Sequence, residues 1–290
     1  MKIDEPLPST LAGALGGDLA ALDALIAGIG PGVHALAVRM LGNREDAADA
    51  SQEILLKVVT HLAAFRGEAR FSTWVWSIAR HHLLTASTRS RESPEVSLEA
   101  LAERLESGLE FADRLRADRG EQVLTPQDKV EARQIALGCT QSMLMTLDRE
   151  HRLAYVLDLV FGLDSAEAAR IAEITPEAHR QRLSRARARL DAFVGRTCGL
   201  ASPSARCSCD AQVPAIAHLR ATQPPTVIPL RAVDALEREQ AELRFAQIER
   251  LGDAAALFRA HPDYALPEVR RDAIRSVLRA EGWLAHGPPH

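Results

Sequence analysis

Asp164-Ser165-Ala166-Glu167-Ala168-Ala169-Arg170-Ile171-Ala172-Glu173-Ile174-Thr175-Pro176 is the stretch whose reading decides the fold. Asp164 suits an N-cap with Glu167 at the third helical position, as in a capping box, so a short helix starts there and ends near Glu173. Thr175 then caps a second helix, and Pro176 sits in its first turn, where a missing N–H does no harm. Two helices joined by so short a turn predict a helix-turn-helix, whose second member enters the major groove of DNA.

On that second helix Leu183, Ala186, Leu190 and Phe193 share one face, the expected buried side. Glu177, Arg180, Gln181 and Ser184 are placed to meet base edges. Arg182, Arg185 and Arg189 suit phosphates or, in part, a protein partner, and Arg187 also lies off the apolar face. A solvated basic face on a structural helix is the plainer alternative. Caps, turn spacing and arginine density occurring together favour DNA. His179 falls on the inward face and reads as a hydrogen-bonded core histidine.

Outward from this motif the pattern stays helical. The chain has 290 residues, 47% of them apolar, with much Ala and Leu, which predicts an all-α protein of two small helical domains. The net charge of −4 is unevenly spread: residues 92–130 hold ten acids and five bases, whereas 176–196 hold six Arg against Glu177 and Asp191. Salt screens charges beyond about 8–10 Å, so the local basic helix counts for more than the sum. No run approaches roughly 18 apolar residues, and Met1-Lys2-Ile3-Asp4-Glu5 lacks the order of a secretion signal. A cytoplasmic protein without a membrane segment is the expectation.

Composition divides the chain. Residues 1–91 form a helical domain with expected breaks at Gly30-Pro31-Gly32, Gly42 and Gly67. Residues 92–129 read as an acidic linker with little packed structure beyond a transient helix around Leu98–Leu115. Residues 130–196 hold the helix-turn-helix, and 197–230 form a Cys- and Pro-rich segment. Residues 231–290 are an amphipathic helical extension, with Val233, Leu236, Leu243, Ile248 and Leu251 on one apolar face and Val269, Ala273, Ile274, Val277 and Leu278 on another. Such helices must pack against something: another part of this chain, a second copy or a separate protein.

Four of the twelve aromatic residues lie between Phe65 and Trp76: Phe65, Phe71, Trp74 and Trp76. They are interleaved with Arg66, Arg70 and Arg80. Aromatic faces stack on unpaired bases while guanidinium groups hold phosphates, so this mixture suits separated DNA strands. Core packing is the rival reading, because Phe71, Trp74 and Ile78 recur at helical spacing.

Three motifs then resemble the extracytoplasmic-function sigma factors of bacterial RNA polymerase. Asn43-Arg44-Glu45-Asp46-Ala47-Ala48-Asp49-Ala50-Ser51-Gln52-Glu53-Ile54 is similar to the acidic helix that docks on the polymerase clamp, implying Asp46, Asp49, Gln52 and Glu53 as polymerase-binding. Those acceptors recur three to four residues apart, as one helix face requires. Phe65–Arg80 resembles the segment that melts and captures the minus-10 element, implying Phe65, Arg66, Arg70, Phe71, Trp74, Trp76, Arg80 and His81 as its contacts. Leu147-Asp148-Arg149-Glu150 through Leu190 resembles the fourth sigma domain, implying Glu177, Arg180, Gln181, Arg182, Ser184, Arg185 and Arg187 at the minus-35 element. Glu173 stands where the family has Gly, at a cost of about 1 kcal/mol if that corner needs positive φ.

The resemblance implies a non-enzymatic transcription initiation factor. Its partners would be core RNA polymerase and promoter DNA, with an anti-sigma factor or the C-terminal extension as candidate regulators. A stand-alone helix-turn-helix repressor is the first rival, and it leaves Phe65–Trp76 unassigned. An enzyme is disfavoured, since the sequence has no HExxH, nucleophile elbow or phosphate loop in strand-to-helix context.

No cofactor is required by this reading. Cys198, Cys207, Cys209 and His218 nevertheless supply the donor types of a tetrahedral zinc site, at a spacing unlike the zinc ribbons. A reversible thiol switch, or thiols with no special role, stay open. Cys139 lies in an apolar helical run and reads as merely buried.

Overall fold

The computed structural model describes residues 3–85, 97–120, 123–222, 254–259, 261 and 264–280. Among them every extended element is helical. The order is α1 (Pro8–Leu15), α2 (Leu19–Leu41), α3 (Arg44–Thr60), α4 (Phe71–Thr85), α5 (Leu98–Arg119), α6 (Pro126–Met145) and α7 (Arg149–Tyr155), which widens into a π-turn at Val156–Val160. Then follow α8 (Ser165–Ala172), α9 (Pro176–Thr197), α10 (Cys209–Thr222), α11 (Ala254–Arg259) and α12 (Glu268–Ala280). The apolar face expected at Val233–Leu251 lies outside the described residues.

Contacts divide the chain into two units. One comprises Met1–Glu92, Val156–Gln181 and Asp263–His290; the other comprises Ser93–Tyr155 and Arg182–Pro262. The boundary drawn from composition at 92 falls within one residue of the unit boundary at Glu92, whereas those at 130 and 197 do not coincide with compact packing. Long-range contacts, which no local composition encodes, regroup the segments.

In the first unit α2 is the central helix, burying Leu25, Ile29, Val33 and Leu36 against α3 and α4. Asn43 starts α3 by accepting from the Glu45 and Asp46 amides at 2.8 and 3.3 Å. Gly42 ends α2 with φ 72°. The expected break at Gly30-Pro31-Gly32 does not occur, because α2 runs through Pro31. Gly32 serves a close approach instead: a Cβ there would lie 2.7 Å from Ile3 Cγ1. By length and composition α2 is apolar enough to cross a membrane, contrary to the sequence expectation, yet it is mostly buried within the protein.

The Arg39 side chain is 1% exposed, and its guanidinium lies 5.4 Å from the ring centroids of both Phe161 and Tyr264. Arg39 Nη1 also donates to the Ala35 carbonyl at 3.1 Å. This buried cation links the N-terminal helices to segments more than a hundred residues away.

In the second unit α10 packs on both α5 and α6. Ala132, Ile135 and Val213 form its apolar centre, flanked by Cys209 and Ile216. Residues 98–119 are thus an ordered helix with Leu98, Leu101, Leu109 and Ala112 buried, not a loose linker. Its acidic outer face hid an apolar stripe that finds a partner only when α10 is present. Thr125 and Asp128 close a full capping box at the start of α6. At its other end Arg152 donates to the carbonyls of Leu144, Met145 and Leu147 at 2.9, 3.2 and 2.7 Å. Helix α11 completes this unit by setting Phe258 edge-on to Tyr155, with centroids 5.2 Å apart.

Candidate functional site

The helix-turn-helix forms where expected. Asp164 accepts from the Glu167 amide at 2.8 Å, α8 ends at Glu173 in the left-handed region (φ 54°, ψ 43°), and Thr175 accepts from Ala178 N at 3.2 Å. The capping box is only half made. Glu167 turns its carboxylate away from its own helix to accept from Thr73 Oγ1 at 3.1 Å and to pair with Arg70. Glu173 likewise pairs with Arg80.

On α9, Glu177, Arg180, Gln181, Ser184, Arg185, Arg187 and Arg189 are exposed, while Ala186, Leu190 and Phe193 are buried. The two faces divide as their spacing requires. Glu177 accepts from Arg180 at 2.6 Å and from Gln181 at 3.3 Å, so this polar edge is pre-ordered without DNA. Arg182 is partly covered and pairs with Glu150 at 2.7 Å. His179 is fully buried, its Nε2 3.4 Å from Asp158 Oδ2 and its Nδ1 without a hydrogen-bond partner, so the expected core histidine is only half satisfied.

The aromatic segment divides between surface and interior. Phe65, Phe71 and Trp74 cluster with centroids 5.3–5.6 Å apart, and Trp76 packs on Phe161 at 5.3 Å. Phe71 and Trp76 are 2% and 1% exposed, which corrects their assignment as DNA contacts: both are core residues that hold α4 in place. Phe65 and Trp74 are half-buried, Arg66, Arg70 and His81 are exposed, and Arg80 is partly covered. Glu5 fixes the start of α4 by accepting from the amides of Phe71 and Ser72, each at 3.0 Å.

Helix α3 presents Asp49 and Glu53 to solvent, with Asp46 and Gln52 partly covered. Helix α12 packs along it. Arg270 pairs with Asp49 and donates to Gln52 Oε1 at 3.2 Å, and Arg275 reaches Asp23 of α2 at 2.7 Å. Ile274 and Leu278 are buried as the apolar face predicts, whereas Val269 is exposed. No local sequence signal marks Arg270 and Arg275 as partners of α3 and α2, because the pairing spans more than two hundred residues.

Cys198, Cys207 and Cys209 line one small cavity in the second unit, and Cys139 joins them. His218 does not line it; its ring stacks on Phe111 with centroids 4.7 Å apart. The imidazole is engaged by an aromatic face, whereas Cys139, read as merely buried, lines the cavity.

Comparison with known families matches the sigma-70 region 2 model to residues 25–92 and the sigma-70 region 4 model to residues 137–190. The chain is 27% identical over 155 residues to the ECF RNA polymerase sigma factor SigW of Bacillus subtilis, covering 53% of this chain and 79% of that protein. It is 25% identical over 179 residues to the RNA polymerase sigma-H factor of Pseudomonas aeruginosa, covering 60% and 86% respectively. Regions 2 and 4 in this order, on a helical framework, define the sigma-70 class of initiation factors. This chain is an RNA polymerase sigma factor of the extracytoplasmic-function type and acts in promoter-specific transcription initiation. Its family is a non-enzymatic class that works through core RNA polymerase and promoter DNA. Residues 191–290 lie outside both matched regions.

Proposed function

We propose that the exposed edge of α9 reads the minus-35 element through Glu177, Arg180, Gln181, Ser184, Arg185 and Arg187, with Arg182 supporting it from beside Glu150. The observation that carries this reading is the paired geometry of α8 and α9 around Glu173, with the arginines outward and the apolar residues inward. Phe65, Arg66, Arg70, Trp74, Arg80 and His81 contact the minus-10 DNA, and Asp46, Asp49, Gln52 and Glu53 anchor core polymerase. No catalytic group of the chain takes part; capture of a separated strand drives opening. Run-off transcription with core polymerase tests the reading: promoter-dependent transcripts are expected. Tight, specific operator binding by the free chain, with no effect of core polymerase, would instead make it a repressor.

A second reading is favoured by α12. Its Arg270 sits on the Asp49 and Gln52 acceptors that would otherwise meet basic residues of the polymerase, so the C-terminal helix acts as a cover in cis. Paired contacts between α4 and α8 through Glu167 and Glu173 engage Arg70 and Arg80 in the same way. An anti-sigma protein would compete for these surfaces. Removing residues 263–290 is expected to raise affinity for core polymerase; unchanged or weaker binding would discard the cis cover while leaving the sigma assignment intact.

A further inference from the structure

Cys139 is distant in sequence from Cys198, Cys207 and Cys209, yet all four border one cavity. Cys139 comes from the middle of α6, Cys198 follows the end of α9, Cys207 lies in the connecting turn and Cys209 opens α10. All four line the same cavity of about 30 Å³, together with Gln212, Thr140 and apolar side chains. That space suits one monatomic ion and excludes an organic cofactor.

The backbone around them is tightly tied. Cys198 and Cys207 pair as an isolated parallel bridge, and Gly199 N donates to the Cys207 carbonyl at 2.8 Å. A side chain at 199 would press its Cβ within 2.8 Å of that same oxygen, so only glycine fits between the two cysteines. The chain turns back immediately after Cys198, whose carbonyl accepts from the Ala201 and Ser202 amides at 3.1 and 2.9 Å.

Donors are already directed at sulfur. The Leu200 and Ala201 amides beside the Cys198 thiol partly offset the rise that burial causes there, and Gln212 Nε2 donates to Cys207 Sγ at 3.5 Å while held by the Leu105 carbonyl at 2.7 Å. Gly108 leaves room for that amide, since a Cβ there would overlap it. Hydrogen bonds of this kind stabilise negative charge on metal-bound thiolates and fix ligand orientation.

We propose that Cys139, Cys198, Cys207 and Cys209 form a tetrathiolate site for a single soft divalent cation of the zinc class, joining α6 to the turn between α9 and α10. Four thiolate donors and a closed, oxygen-poor lining select such an ion over magnesium or calcium. Among the described residues no three such side chains converge on a common point, so binding draws the sulfurs inward by side-chain rotation to about 2.3 Å from the ion. Each Sγ–H bond breaks as an Sγ–metal bond forms, and the four protons pass to solvent.

Without metal the thiols stay protonated. Burial pushes all four up, Cys209 to about 12 and Cys139 well above its usual value, and the neighbouring sulfurs add to the rise at Cys139, Cys207 and Cys209. Binding therefore competes with protons and weakens as pH falls.

Titration of the reduced full-length chain with Co²⁺ and then Zn²⁺, without polymerase or DNA, tests the site independently of the sigma reading. One equivalent of cobalt is expected to develop the visible bands of a tetrahedral thiolate complex, and one equivalent of zinc to bleach them. Cys139→Ser and Cys207→Ser are each expected to weaken binding on the order of 100-fold. His218→Ala is expected to leave stoichiometry and affinity unchanged. Circular dichroism confirms folding, and Cys207→Ser, in the turn rather than within a helix, carries the test if Cys139→Ser does not fold. The proposal is overturned by the absence of a stoichiometric endpoint, by unaltered binding in the folded cysteine variant, or by dependence on His218 in place of Cys139.

Discussion

Arg270 Nη1 donates to Gln52 Oε1 at 3.2 Å, so a cation from the C-terminal helix occupies an acceptor on the helix assigned to polymerase docking. The same guanidinium pairs with Asp49. Partly exposed pairs of this sort contribute at most about 1 kcal/mol. Arg270→Ala is therefore expected to strengthen binding to core polymerase by about two- to fivefold. Equilibrium binding of labelled chain to core enzyme measures this, and weaker binding by the variant would mean that Arg270 helps docking.

Glu173 holds a left-handed conformation that glycine adopts without strain. Glu173→Gly is expected to stabilise the chain by about 1 kcal/mol, less whatever the exposed Arg80 pair contributes. Thermal unfolding should show a rise of about 2 °C, and a fall would show that the pair outweighs the strain.

Arg185 and Gln181 are both exposed on α9 but have different assignments. Arg185→Ala should weaken binding to every minus-35 sequence alike and lower the salt slope by about 1. Gln181→Ala should relax base preference and leave that slope unchanged. Competition binding of holoenzyme at several salt concentrations separates the two.

Trp76 and Trp74 differ by burial. Trp76, inside the core against Phe161, is expected to cost about 3–5 kcal/mol when replaced by Ala. Trp74→Ala should destabilise less and instead slow strand opening at a fixed level of promoter binding. Denaturant melts and permanganate footprints provide the two readouts.

His34 is buried and accepts or donates a hydrogen bond with Ser51 at 3.0 Å. Burial, aided by the Arg44 charge, lowers its pKa from 6.5 to about 4. Since the unfolded chain binds the proton more readily, stability is complete above pH 6.5 and falls as pH drops towards about 4. The loss is at most about 3 kcal/mol, and His34→Gln should flatten that part of the stability profile. An unchanged slope in the variant would assign the titration to another group.

Local signals were legible in the sequence wherever a short-range rule governs the outcome. Asp164 and Thr175 cap the helices they were expected to start, Gly42 ends α2, and Glu173 takes the conformation its position demands. Arg180, Gln181 and Ser184 face outward because the apolar spacing of α9 fixes the opposite side. What was not legible depends on partners remote in the chain. Phe71 and Trp76 carry the same helical spacing whether they meet DNA or a core, and Phe161 decides for Trp76. The acidic segment at 98–119 looked unstructured until α10 covered its apolar stripe. Cys139 gave no hint of the other three thiols, which approach it only through the packing of α6 with α10.

Pro31 has a final consequence for α2. Lacking an N–H, it leaves the Ala27 carbonyl one turn earlier without its helical donor, and both residues lie on the exposed side. Solvent can satisfy that oxygen, so the missing rung falls at a point that hydration repairs. The longest apolar helix among the described residues thus keeps a wet notch on one flank and a dry seam on the other.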